Sequence, residues 1–481
     1  MTAYETVIGL ECHVELSTRT KMFCGCENSF GAPPNTNVCP VCLGHPGTLP
    51  VANRTAVEHT MKIALAVDAH VAPRSIFHRK NYFYPDMPKN YQISQYDLPV
   101  GTGGHLDVEI DGEVRRVGMN RVHLEEDTGK TLHAGTTGRI AEAEYALEDF
   151  NRAGVPLVEV VSEPDIRSPE EAGAYLRELR ELLRSLGVSD VRMEEGSLRC
   201  DANISLRRVG EDAYGTKVEI KNMNSIRSVE RALRYEAERQ RAALDAGEPI
   251  VQETRHWDED RGTTSSLRSK EEAFDYRYFP DPDLVPLEPG DEWIERLRAE
   301  LPELPAARRQ RFERDYGLDP SVARLVGATE WAPFFEESVR LGADPRTAAN
   351  WMTGDLAGLL NEARVELDES KVTPQHLAEL SALVADGTIS TAGAKQVLAE
   401  AFASGAGARA IVDEKGLAQI SDEGALGAIV DEVIAENPGP VEQFRGGKEG
   451  VIGFLVGAVM KKSRGAANPQ EAQRLLRDRL S

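Results

Sequence analysis

Four of the six cysteines fall in two close pairs, Cys24-Gly-Cys26 and Cys39-Pro-Val-Cys42, separated by a short loop. Two tight turns that each present two thiolates suit a tetrahedral four-cysteine site for Zn2+. Four protein ligands leave no open position, so such a zinc ion is structural rather than catalytic. Disulfides are the competing use of paired cysteines, and they belong to oxidising compartments. The opening residues, Met1-Thr2-Ala3-Tyr4-Glu5-Thr6, show neither a basic n-region nor an apolar h-region. The expectation is therefore a cytoplasmic chain with reduced, metal-binding thiols.

A second set of residues is spread along the chain. Glu11-Cys12-His13-Val14-Glu15 alternates as a strand does, so Glu11, His13 and Glu15 share a polar face while Ile8 and Leu10 belong to the apolar one. His123-Leu-Glu-Glu-Asp127 adds three consecutive acids. Glu159 interrupts the apolar strand Val155-Pro-Leu-Val-Glu-Val-Val161, where a charge is costly to bury unless it meets a metal or a cation. Asp201 opens a further strand. Each of the other acids, taken singly, reads as an ordinary surface residue. Converging on one pocket with an imidazole, they make a hard-cation site suited to Mg2+ and phosphate. Arg79-Lys80 and Lys221 supply positive charge for phosphate oxygens.

The elements that must position these residues are legible in outline. His105–Ile110 and Glu113–Val117 alternate on either side of Asp111-Gly112, a hairpin signal. Cys200–Arg207 and Thr216–Lys221 read as a second hairpin. Ser168-Pro169-Glu170-Glu171 is a capping box with Pro at the first helical position, and the helix it starts ends at Gly187. Another helix is expected from Ser228 to Ala246, before Gly247. These elements make an α+β domain, an antiparallel sheet with helices. The proline-dense segment Pro280–Pro289 marks its end. Beyond it the chain turns rich in Ala, Leu, Glu and Arg at helical spacing, which predicts two all-α domains divided by the break Ala403-Ser-Gly-Ala-Gly407. The expected division is 1–293, 294–405 and 406–481.

The chain of 481 residues carries a formal net charge of -23, which argues against broad contact with a phosphate backbone. Local balance differs: from Pro440 to Ser481 eight Lys and Arg face four acids. No stretch approaches the roughly 20 apolar residues that span a bilayer. There is no phosphate-binding Gly-x-x-x-x-Gly-Lys-Ser/Thr loop and no Gly-x-Ser-x-Gly elbow. No cysteine stands in a glutaminase context. Any ATP site is therefore not a P-loop, and the chain has no evident means of releasing ammonia from glutamine.

Longer blocks carry a resemblance. Glu5-Thr-Val-Ile-Gly-Leu-Glu-Cys-His-Val-Glu-Leu16, Arg79-Lys-Asn-Tyr-Phe-Tyr-Pro-Asp86, Tyr91-Gln-Ile-Ser-Gln95, Val161-Ser-Glu-Pro-Asp-Ile-Arg167, Met193-Glu-Glu-Gly-Ser-Leu-Arg-Cys-Asp-Ala-Asn-Ile-Ser205, Asp275-Tyr-Arg-Tyr-Phe-Pro-Asp-Pro-Asp283 and Gly453-Phe-Leu-Val-Gly457 resemble the GatB family, the B subunits of aspartyl/glutamyl-tRNA amidotransferases. The resemblance covers essentially the whole chain. It implies a cradle-shaped catalytic domain followed by a helical domain and a tail. It implies ATP-dependent phosphorylation of the side-chain carboxylate of Glu-tRNA(Gln) or Asp-tRNA(Asn), followed by attack of ammonia. On the matching motifs it makes Glu11, His13, Glu125, Glu126, Glu159 and Asp201 catalytic, the first five as Mg2+ ligands, with Lys80 and Lys221 toward phosphate. It makes Cys24, Cys26, Cys39 and Cys42 the zinc element that part of the family keeps. It implies an amidase partner, GatA, a small bracing subunit, GatC, and a misacylated tRNA gripped by the tail, with Lys461, Lys462 and Arg464 as contacts. Two competing readings are a non-catalytic zinc protein that binds tRNA and has no use for the carboxylates, and a stand-alone ligase of a free amino acid, which has no use for the helical C-terminal third.

Overall fold

Alternation along the first strand organises the first half of the molecule. A computed structural model describes residues 4–134, 144–269, 276–419, 423–463 and 467–480. Its strands are β1 (Tyr4–Glu15), β2 (His70–Val71), β3 (His78–Asn81), β4 (Tyr91–Ser94), β5 (Gly101–Thr102), β6 (His105–Ile110), β7 (Glu113–Glu126), β8 (Lys130–Ala134), β9 (Tyr145–Asp149), β10 (Pro156–Ser162), β11 (Leu198–Arg208), β12 (Val218–Lys221), β13 (Glu253–Asp258), β14 (Thr263–Ser269) and β15 (Phe279–Pro280). Ten of them form one sheet in the order β14-β13-β12-β11-β1-β10-β7-β5-β2, with β6 paired to β7. β15, β3 and β4 form a small three-stranded sheet, and β8 and β9 a separate pair.

The registers explain how one face becomes core and the other a site. His13 lies opposite Glu159 on β10 and Arg199 on β11, Glu159 opposite His123 on β7, and Glu11 opposite Asp201 on β11. Directly opposed residues point to the same side of a sheet. One side therefore collects His123, Glu125, Glu159, Glu11, His13, Arg199 and Asp201. The other collects Leu10, Cys12, Val14, Leu124, Val158, Val160, Cys200 and Ala202, all buried. That apolar side is covered by α1 (Arg54–Ala66), α2 (Pro169–Ser185) and α3 (Ile226–Asp245), whose Met61, Leu176, Leu179, Val229 and Leu233 join the same core.

Both expected hairpins are present, β6–β7 in register across Asp111-Gly112 and β11–β12 with Ala202 opposite Ile220. Ser168 caps α2 by accepting from Glu171 N at 3.1 Å. Glu171 does not return the bond to Ser168; it accepts from Arg167 N at 2.5 Å, one residue earlier. The sheet is not wholly antiparallel, because β12 and β13 run parallel. A parallel pair needs a crossover, and α3 is that crossover.

The proline-dense segment does not end the first unit. β15 pairs with β3, Leu287 bridges to Ser75, and α4 (Asp291–Ala299) buries Leu297 in the first core. Proline is tolerated on such short edge pairings because no ladder hydrogen bond is lost. The first unit extends to Leu304, so the expected border at residue 293 falls inside α4. The second unit, Pro305–Ser481, is helical among its described residues. One of its cores runs from Phe312 to Val412 and another from Leu426 to Leu480. The break at Ala403–Gly407 is a turn inside the earlier core: Gly405 takes φ 77° after one helix, and Ala408, Ile411 and Val412 of the next are buried with Leu398.

Gly104 has φ +94°, and a Cβ there would stand 2.7 Å from Ala69 N. Its neighbours are fixed, since His105 N donates to Val67 O and Met119 N to Gly104 O. Gly104→Ala should destabilise the first unit by roughly 1–3 kcal/mol, read as a lowered denaturant midpoint for the sheet signal with the helical second unit unaffected.

Candidate active site

The strand order β11-β1-β10-β7 brings three ligand-type residues together. One ligand atom each from His13, Glu125 and Glu159 lies within 4.8 Å of the others. His13 Nε2 is 3.7 Å from Glu159 Oε2, and His123 Nε2 is 3.2 Å from the same oxygen and 3.5 Å from Glu125 Oε2. Arg121 Nη2 approaches the other Glu159 oxygen at 3.6 Å, and Ser94 Oγ donates to Glu125 at 2.8 Å. Burial opposes ionisation of Glu159, but the His123 ring outweighs it, with His13 and Arg121 adding, and holds the carboxyl well below its usual range. Burial likewise opposes charging of His123, while Glu159 and Glu125 draw its pKa up to about 9. Arg121 Nε donates to His123 Nδ1 at 3.3 Å, which suits the singly protonated ring. In either state Nε2 carries a proton and aims it at the two carboxylates. Two carboxylates and one imidazole fit a hard divalent cation that completes its shell with water or phosphate oxygens.

The remaining expected residues divide. Glu11 and Asp201 lie on the same face beside His13; Glu11 accepts from Asn203 Nδ2 at 2.9 Å. Asp201 is ion-paired with Lys221, which also meets Glu219 at 3.1 Å. Burial would lower the Lys221 pKa, but Asp201 and Glu219 raise it, so the ammonium stays charged. Lys80 Nζ lies 4.8 Å from the centre of the Tyr276 ring. Burial opposes its charge too, and Glu125 with Tyr278, Tyr276 and Glu159 sustains it. Arg79 is engaged elsewhere, held at 2.8 Å by both Asp281 and Asp283.

Glu126 is not with the others. It follows Glu125 along β7 and so points to the opposite side. It accepts from Ile93 N at 2.9 Å and from Lys89. Glu126, Lys89, Cys24 and Cys42 line one cavity of about 80 Å³. Ligand sulfurs of Cys24, Cys26, Cys39 and Cys42 lie within 4.8 Å of one another, and Cys42 Sγ is 3.9 Å from Cys39 Sγ. A tetrahedron with Zn–S of ~2.3 Å has edges of ~3.8 Å, so the set fits zinc. Lys21, fully buried, reaches Cys42 Sγ at 3.7 Å and Phe150 O at 3.0 Å. Hydrogen bonding from Cys24, with Lys21 adding, pulls the Cys42 thiol down to about 4 against its burial. A buried ammonium needs such a thiolate, which is what a zinc site of four cysteines supplies.

Further along the polar face, Glu15 borders a cavity of about 580 Å³ with Arg152, Asp190 and Ser197. Burial and the neighbouring Asp127 push the Glu15 carboxyl up to about 8. In the tail, Lys462 pairs with Glu432 at 2.8 Å and Glu436 at 2.5 Å, while Lys461 is exposed on the same helix, Ile452–Lys462. Arg464 lies outside the described residues. The residues that sequence reasoning misses are Arg121 and His123. Their signal is present: Arg121, His123 and Glu125 are spaced by two, which on one strand is one face.

Residues 6–295 match the GatB/GatE catalytic domain, and residues 333–480 match the GatB domain. The chain is 53% identical over its full length to the full-length B subunit of aspartyl/glutamyl-tRNA(Asn/Gln) amidotransferase from Carboxydothermus hydrogenoformans. It is 55% identical to the protein of that name from Moorella thermoacetica, over 99% of this chain and 100% of the relative. For the Brevibacillus brevis protein of the same name the figure is 52%, covering both chains completely. With matched domains over most of its length and such relatives end to end, the chain belongs to the GatB family of amidotransferase B subunits.

Proposed function

We propose that this chain performs the ATP-dependent amidation of glutamate on tRNA(Gln), of aspartate on tRNA(Asn), or of both. The observation that carries the reading is the meeting of His13, Glu125 and Glu159 within 4.8 Å on a polar sheet face that also holds Glu11, Asp201 and Lys221. A carboxylate does not exchange oxygen for nitrogen directly, because oxide is a poor leaving group. Phosphorylation of the side chain turns that oxygen into phosphate, which ammonia displaces.

His13, Glu125 and Glu159 are the residues that would hold Mg2+. Bound there, the cation neutralises charge on the nucleotide phosphates and on the transferring group. Lys80 and Lys221 meet phosphate oxygens as point charges. Asp201 holds the Lys221 ammonium in place, and Glu11, steadied by Asn203, borders the same space. Glu126 belongs to the neighbouring cavity and is assigned no ligand role. The four cysteines hold a structural zinc ion. Ammonia comes from an amidase partner, GatA, braced by the small subunit GatC, and the helical second unit binds tRNA, with Lys461 and Arg464 among its cations. The complex works in the cytoplasm.

The test is amide formation by the co-expressed complex with ATP, Mg2+, ammonium chloride and either Glu-tRNA(Gln) or Asp-tRNA(Asn). Gln or Asn should form only with ATP, and Glu125→Gln or Glu159→Gln should lower the rate by roughly 100-fold or more. Product from free glutamate without tRNA, or an unchanged rate in both variants, sinks the reading. Glu125→Gln should move the Mg2+ dependence to higher concentration, whereas Glu126→Gln should leave the Mg2+ midpoint where it is. The chain should carry one zinc by elemental analysis, lost in Cys39→Ser with a lower thermal midpoint for the first unit.

A further inference from the structure

One buried group beside the carboxylates neither ligates the cation nor meets phosphate in this scheme. His123 is 3% exposed, and its Nε2 stands 3.2 Å from Glu159 and 3.5 Å from Glu125. Its other ring nitrogen receives Arg121 Nε at 3.3 Å, and Arg121 also reaches the far oxygen of Glu159 at 3.6 Å. The two residues are i and i+2 on β7, and the strand opposite presents Glu159 directly across from His123 and Val161 across from Arg121. The ring therefore has a donor on one side and two acceptors on the other. In the singly protonated ring the Arg121 donor on Nδ1 fixes which way the ring turns, and in either state the Nε2–H reaches toward both carboxylates.

We propose that Arg121 and His123 are a positioning pair for the divalent-cation site, setting the separation and orientation of Glu125 and Glu159 without ligating the metal. The proposal rests on the reading of His13, Glu125 and Glu159 as that site. Without a donor between them the two carboxylates, both buried, repel and turn apart, and the cation must then gather them at its own expense. Ser94, which donates to Glu125 only, cannot hold the pair together. Outer partners of this kind are worth ~10–100-fold in metal affinity. Gln can place an amide N–H near the position of Nε2, so His123→Gln should retain part of the effect that His123→Ala removes. Arg121→Gln should act in the same direction and less, because the ring remains but loses its fixed orientation.

The experiment uses Mn2+ as probe, titrated into the co-expressed complex and followed by electron paramagnetic resonance, with Mg2+-dependent amidation measured alongside. Glu159→Gln serves as reference: loss of a Mn2+ site in this variant shows that the carboxylates bind metal. If Glu159→Gln binds Mn2+ as the parent does, the site reading fails and the proposal falls with it. Given that loss, His123→Ala should weaken Mn2+ binding by ~10–100-fold, raise the Mg2+ midpoint similarly, and recover most of kcat at saturating metal. His123→Gln should lie between. Unchanged Mn2+ affinity in His123→Ala overturns the proposal. A nitrogen coupling to bound Mn2+ that is lost in His123→Ala would make the ring a ligand and overturn it as well. A kcat that stays low at saturating metal, with affinity intact, would make His123 catalytic instead.

Discussion

Charge compensation where β7, β10 and β1 lie side by side is the constraint on which the polar face depends. Glu125 and Glu159 are both buried and offer oxygens within 4.8 Å of one another. Two carboxylates at that distance repel by about 3.5 kcal/mol at an effective dielectric of ~20. A cross-strand side-chain pair contributes only ~0.2–1 kcal/mol. Strand pairing alone therefore does not hold these acids together, and the His123 ring and the Arg121 guanidinium must. The same arrangement that lets these strands lie side by side keeps the acids ionised. Stability and ligand chemistry are here one requirement.

The four-cysteine cluster meets an analogous constraint from the opposite sign. Lys21 is fully buried and ends between Cys42 Sγ and a backbone carbonyl. An ammonium in that position is tolerable only beside negative sulfur. Gly154, which packs against both Cys42 and Lys21, also lies near Glu126. The four-cysteine cluster thereby adjoins the end of β7, the strand that supplies Glu125.

Much of this is legible from residue order, and the failures have physical causes. Alternation through Glu11, His13 and Glu15 correctly assigns β1 its two faces, and Asp111-Gly112 correctly assigns the β6–β7 hairpin. The paired cysteines do converge. The motif groups Glu126 with Glu125, although adjacent residues on a strand cannot share a face; the pleat decides against the grouping. His123 passes for the mere start of an acidic run, when its spacing of two from Glu125 already places it in the site. Arg79 cannot be separated from Lys80 without knowing that Asp281 and Asp283 return to β3 from some two hundred residues away. The parallel β12–β13 pair depends on the path of α3, and no local pattern reveals a crossover's partner. The break after Ala403 has the composition of a linker, but buried contacts of Ala408, Ile411 and Val412 keep its far side in the same core.

The central position of β1 has a consequence for the birth of the chain. Its partners are β10 and β11, which end at Ser162 and Arg208. At ~5–20 residues per second the ribosome needs roughly 7–30 s after β1 to deliver the first of them. Through that interval a twelve-residue strand with a strongly apolar side waits without a neighbour. Unpaired edges of this kind recruit one another, and inward-placed charge is what discourages them. Glu11 and Glu15 keep the other side of that strand charged throughout the wait, before there is any pocket for them to serve.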